Sequence, residues 1–293
     1  MMNIKRTWGK TILGLTVILA VCRPILTWAF EPWTNVNGYW ISADGKTPIK
    51  GALKKGITIT KYQNRAGDIN WKQVVKDDIS FAMVRLGYYE DPDPYFGSNM
   101  ENAASVGLET GICFYGDALD VEGARKEARY VLDRVKEYRV SYPIAYDVES
   151  QRLLDLGFTR AEITSQVEAF CKVIEDAGYK AVIFGDNEWL TKHMDTGKLP
   201  YDVWYSRYGL ANSFENRTLW RCTDMGKVRG IEGTVCLEFV FEDYTETFEG
   251  TGWRTINGKR YYYKDHQMVK NTAMRIDDAL YFFDKDGNSR LTK

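Results

Sequence analysis

Ser141-Tyr-Pro-Ile-Ala-Tyr-Asp-Val-Glu149 is the stretch whose reading decides the fold. Successive side chains alternate across a strand, so Ile144, Tyr146 and Val148 face one side and Ala145, Asp147 and Glu149 the other. Two carboxylates thereby share one side of an otherwise apolar strand. Their Cα atoms are expected roughly 6.7 Å apart, close enough for each charge to feel the other. Crowding and partial burial raise one pKa, which leaves a protonated acid beside an ionised base and suits acid–base chemistry. The competing reading is a solvated strand end.

Outward from this strand, the chain alternates. Gly56 to Gln63 reads as a strand, Asp68 as the N-cap of a helix, and Ser80 to Gly87 as an apolar strand. Asn99 to Val106 is helical, Gly111 to Tyr115 a strand, and Asp120 to Tyr138 a long amphipathic helix. Downstream, Thr159 with Glu162 forms a capping box for a helix to about Ala177, closed by Gly178. Lys180 to Gly185 is a strand and Asn187 to His193 a short helix. Val203 to Tyr208, Leu219 to Thr223 and Thr234 to Phe239 are strands without helices between them. Strand–helix alternation predicts parallel pairing, and eight strands suffice to close a barrel with functional residues at strand C-terminal ends. The fold class is α/β: an irregular TIM-like barrel of five strand–helix units and three further strands.

The 293 residues carry 39 basic and 40 acidic side chains, so nothing points to electrostatic capture of nucleic acid. Lys5, Arg6 and Lys10 precede an apolar run from Thr11 to Cys22, too short for a comfortable membrane span but fitting an export signal. Residues 1–29 are therefore read as a signal peptide or anchor and 30–54 as a linker. Any membrane contact is expected only through that first segment, if uncleaved. Cys113, Cys171, Cys222 and Cys236 show no C-x-x-C spacing and only two histidines accompany them, so no metal and no cofactor are expected. At the C-terminus, Gly258-Lys-Arg-Tyr-Tyr-Tyr263 aligns with Asp278-Ala-Leu-Tyr-Phe-Phe283 at an offset of 20, an internal repeat of aromatic hairpins. Trp253, Tyr261 to Tyr263 and Tyr281 form either a ligand-stacking surface or the hairpin core.

Several motifs occur in the order seen in family 25 glycoside hydrolases: Lys55-Gly-Ile-Thr-Ile-Thr-Lys-Tyr-Gln63, Phe81-Ala-Met-Val-Arg-Leu-Gly87, Ala145-Tyr-Asp-Val-Glu149, Trp204-Tyr-Ser-Arg-Tyr208 and Leu219-Trp-Arg-Cys-Thr223. The chain resembles those lysozymes, which are N-acetylmuramidases, over a barrel at 55–245. After a linker at 246–251, residues 252–293 resemble cell-wall-binding repeats of the choline- and glucan-binding kind. The resemblance implies an exported peptidoglycan hydrolase, secreted or associated with the cell wall. It would cleave the β-1,4 bond between N-acetylmuramic acid and N-acetylglucosamine. Glu149 is then the general acid and Asp147 its partner carboxylate, and the motif positions of Tyr62, Tyr208 and Trp220 imply a sugar groove, with simple barrel packing the equal alternative for each.

The chain departs from the family pattern at two acidic positions. Thr58 stands where the first strand carries an aspartate, and Cys236-Leu-Glu238 where the last carries Asp-Leu-Asn. Glu238 lies on the same side as Cys236 and could return a carboxylate to the pocket. Arg221 and Cys222 replace a common Gln-Tyr. Cys222 and Cys236, on neighbouring strands, either form a disulfide or remain buried thiols. These departures motivate the alternative function, a catalytically impaired carbohydrate-binding protein of the same fold.

Overall fold

The computed structural model describes residues 35–41, 47–88, 91–209, 214, 216–247 and 249–291. The proposed leader lies outside the described residues. A short hairpin, β1 (Asn35–Val36) and β2 (Tyr39–Trp40), comes first. The segment read as a plain linker thus carries structure: Trp40 is buried, its ring 5.5 Å from that of Phe239.

The barrel follows as β3 (Lys54–Ile59), α1 (Lys61–Ala66), α2 (Trp71–Val74), β4 (Ile79–Gly87), α3 (Phe96–Ser105), β5 (Glu109–Tyr115) and α4 (Val121–Val135). It continues with β6 (Ile144–Asp147), α5 (Gln151–Asp155), α6 (Arg160–Asp176), β7 (Ala181–Asp186), β8 (Asp202–Ser206), β9 (Arg217–Gly226) and β10 (Val235–Val240). The eight strands close in the order β10-β3-β4-β5-β6-β7-β8-β9. Neighbours from β3 round to β9 are parallel, whereas β10 runs antiparallel to both β9 and β3. Alternation sorts the side chains as expected for β6. Ile144, Tyr146 and Val148 join the outer core beneath the helices, while Ala145 joins an inner core with Phe81, Met83, Phe184 and Trp204. Gly56 leaves the room this inner core needs, because a Cβ there would fall 2.4 Å from the Phe81 ring.

Two local expectations are corrected. The strand expected to reach Gln63 ends at Ile59, because Thr60 and Gln63 form a capping box that starts α1. Asn70, not Asp68, caps the next helix, its side chain accepting from Gln73 N. The Thr159–Glu162 capping box forms as read, and Gly178 follows α6 at φ +82°, a left-handed conformation that favours glycine.

After α7 (Tyr244–Thr247) the tail forms two three-stranded sheets, β11 (Gly252–Ile256), β12 (Lys259–Lys264) and β13 (Gln267–Met268), then β14 (Thr272–Ile276), β15 (Ala279–Phe283) and β16 (Ser289–Leu291). The first sheet docks on the barrel. Arg254 is buried with its guanidinium 4.3 Å from the Tyr179 ring and 4.4 Å from that of Tyr263. The Tyr263 hydroxyl donates to the Lys136 carbonyl at 2.8 Å. A desolvated cation–π contact contributes about 2 kcal/mol. Arg254→Ala is therefore expected to destabilise the protein by about 2 to 4 kcal/mol in urea unfolding, once lost packing is added. An effect below about 0.5 kcal/mol would show that the docking contributes little.

Candidate active site

Asp147 ends β6 and Glu149 follows it, at the end of the barrel where the parallel strands finish. Asp147 is 9% exposed and lies level with Tyr115 on β5 and Phe184 on β7. Its Oδ1 accepts from the Glu149 backbone N–H at 3.0 Å, and Glu149 Oε1 accepts from the Asp186 N–H at 2.5 Å. The Tyr115 hydroxyl donates to the Glu149 carbonyl oxygen. The strand end is thus tied down on both sides.

Burial raises the Asp147 pKa to about 6; the Glu149 N–H and the charges of Arg221 and Arg85 oppose that rise, while Asp186 adds to it. Burial and the charge of Asp147 raise Glu149 to about 7, with Asp186 adding charge and its N–H and Arg221 working against. Two carboxyl groups so coupled give the site a member that holds its proton near neutral pH and a member that has lost it.

The other expected site residues divide. Tyr62, on α1 just beyond β3, is 60% exposed, and Tyr208, just beyond β8, is 53% exposed. Both follow strand ends on the same rim as the carboxylates. Trp220 is a correction: it is 2% exposed on the outer face of β9, packed near Phe239 and donating Nε1 to the Arg207 carbonyl, so it offers no surface to a sugar. Alternation explains this, because its neighbours Leu219 and Arg221 are the ones that face inward.

Glu238 is likewise reassigned. Because β10 runs antiparallel, Cys236 lies opposite Thr58 while Glu238 lies opposite Gly56, one repeat deeper. Its side chain is 0% exposed and saturated, with Oε1 accepting from Thr58 Oγ1 at 2.6 Å and from Arg221 Nε at 3.0 Å, and Oε2 from Trp204 Nε1 at 2.8 Å. The carboxylate returns to the barrel, but beneath the mouth. The bridged alternative for Cys222 and Cys236 also falls, since all four described cysteines are free thiols. Cys222 joins the outer core and donates to the Leu237 carbonyl, whereas Cys236 shares the inward side with Glu238.

Sequence reasoning missed Tyr115, Asp186 and Arg85. Asp186 was recoverable as an acid at the end of a barrel strand. Arg85 lies over the Tyr88 ring at 5.2 Å, and Tyr88 in turn lies 4.6 Å from Tyr115. Among the described residues no group of three or more His, Cys, Asp or Glu is placed to hold a metal ion.

A closed barrel with coupled acids at the C-terminal ends of its strands is an arrangement that glycoside hydrolysis can use. The chain belongs to glycosyl hydrolases family 25, whose model matches residues 57–231, and its tail matches the choline-binding repeat at 250–293. Among solved structures it is similar to the autolysin LytC from Streptococcus pneumoniae in complex with a synthetic peptidoglycan ligand (22% identity, TM-score 0.62, 71% of this chain and 52% of that one). This chain therefore spans about half of LytC. It is also similar to the CTP1L endolysin (20%, 0.59, 68% and 71%) and to the lysozyme from Streptomyces coelicolor (18%, 0.55, 64% and 92%). At these identities the likeness carries the fold. No curated protein matches the chain.

Proposed function

We propose that the protein is an exported peptidoglycan hydrolase that cleaves the β-1,4 bond between N-acetylmuramic acid and N-acetylglucosamine. The observation that carries this reading is the desolvated Asp147–Glu149 pair on the barrel rim of a family 25 chain. Glu149 gives its proton to the leaving glycosidic oxygen as the bond to the anomeric carbon breaks. Asp147, ionised, faces the positive charge that develops on the sugar; water then bonds through its oxygen to the anomeric carbon and its proton passes to the Glu149 carboxylate, which restores the acid. Tyr62 and Tyr208 offer their rings to the sugar faces. Residues 1–29 serve export, 55–245 catalysis, and 252–293 hold the enzyme at the wall, in keeping with the match to the choline-binding repeat.

Borohydride reduction of the products, followed by mass spectrometry, tests the bond: reduced N-acetylmuramic acid at the new ends is expected, and reduced N-acetylglucosamine alone would overturn it. The pH profile offers a second test. Activity requires Glu149 protonated and Asp147 ionised, so kcat/KM should peak between the apparent values of about 6 and about 7 and fall on both sides. A plateau from pH 4 to pH 9 would contradict the assignment.

A further inference from the structure

The positions where the family pattern carries two acids, Thr58 and Cys236, lie directly opposite each other on β3 and β10 and bear no carboxylate. In their neighbourhood stands a cation. Arg221 on β9 is the cross-strand partner of Glu238, and its side chain is 13% exposed. Its Nε donates to Glu238 Oε1 at 3.0 Å and its Nη2 to Thr58 Oγ1 at 3.1 Å. The guanidinium lies 4.5 Å from the Phe184 ring and 4.7 Å from that of Trp204. Thr58, Trp204, Arg221 and Glu238 thus join four strands in one network under the mouth.

Phe184 on β7 is the register partner of Asp147, so the guanidinium lies over the ring of Asp147's cross-strand neighbour, while Glu238 on β10 holds it by a hydrogen-bonded ion pair. A guanidinium does not lose its proton in this setting, so its field is permanent. We propose that Arg221 is a positioning residue that holds Asp147 ionised. It acts from a place where the family pattern has no cation. The inference rests on the hydrolase reading for its purpose but not for its test.

Other groups bear on the same pair. From β4, Arg85 adds a second cation, and from β7, Asp186 adds an anion. Cys113 and Tyr115 on β5 are held neutral by burial, the thiol at about 12, and Cys236 on β10 by burial at about 11. Tyr208, beyond β8, is raised by burial to about 12, and Asp117 beyond β5 pairs with Arg152. Of the two cations, Arg221 is the one braced by a carboxylate, a hydroxyl and two rings.

The decisive experiment is a carbon-detected NMR titration of the Asp147 and Glu149 carboxyl groups in the full chain, beside the pH profile of kcat/KM on peptidoglycan. Arg221→Gln should move the Asp147 titration up by roughly half a unit to one unit, with the acidic limb following it. Arg221→Lys, which keeps the charge, should stay close to wild type. Where the single variant is unstable, Arg221→Gln with Glu238→Gln removes both charges of the buried pair and should still move the titration upward. A folded Gln variant that titrates as wild type would overturn the proposal, as would a Lys variant that shifts as far as the Gln one. Shifted carboxyl titrations in a protein that cleaves nothing would support Arg221's role and sink the hydrolase reading instead.

Discussion

Glu149→Gln is expected to lower kcat/KM on peptidoglycan by about 10² to 10⁴, the range that general acid catalysis supplies. The amide can still accept the Asp186 N–H that Glu149 Oε1 now accepts, so the strand end should keep its place. The loss should shrink on an aryl glycoside whose leaving group departs without a proton. Stability should move the other way. The Glu149 pKa is raised by burial, then by Asp147, from 4.5 to about 7, so the folded protein holds that proton more tightly than the unfolded chain. That contribution is complete below pH 4.5 and lost as pH rises through 7. The neutral amide should therefore stabilise the fold by on the order of 2 kcal/mol at pH 8 and by almost nothing at pH 4. Urea unfolding at the two pH values checks this, and equal effects at both would contradict it.

Glu238→Ala should destabilise the protein by about 3 to 5 kcal/mol, the range for removing one member of a buried ion pair. The substitution strands the Arg221 guanidinium and leaves the Trp204 Nε1 and Thr58 Oγ1 donors without their acceptor. Replacing Glu238 and Arg221 together by Leu and Met should cost much less, because no charge is then left unpaired. Urea unfolding of the two variants separates these outcomes. A single-variant loss below about 1 kcal/mol would mean that the network does not brace the barrel.

The strands and their facing were largely legible because alternation is local: Ile144, Tyr146 and Val148 on one side and Asp147 on the other follow from a period of two. The same rule would have turned Trp220 outward once Arg221 was placed inward. Strand direction was less legible. Neither the β8–β9 nor the β9–β10 connection reads as helical, yet only the second reverses the chain, and that return puts Cys236 at the mouth and Glu238 below it. The end of β3 was hidden because Ile57-Thr-Ile-Thr60 favours a strand while the capping signal lies in Thr60 and Gln63, within a helix that buries no residue. The setting of Arg254 between Tyr179 and Tyr263 joins residues far apart in the chain, and no local pattern announces it.

New reducing ends released from purified peptidoglycan at pH 6.5, between the two apparent values, test the role of the carboxylate pair most directly. The full chain is compared with Asp147→Asn and Glu149→Gln. Steady release by the native chain, with both variants reduced by about 10² or more, is the predicted result. Native protein that binds the polymer yet releases no ends, or variants that match its rate, would contradict the claim that this carboxylate pair breaks a sugar linkage.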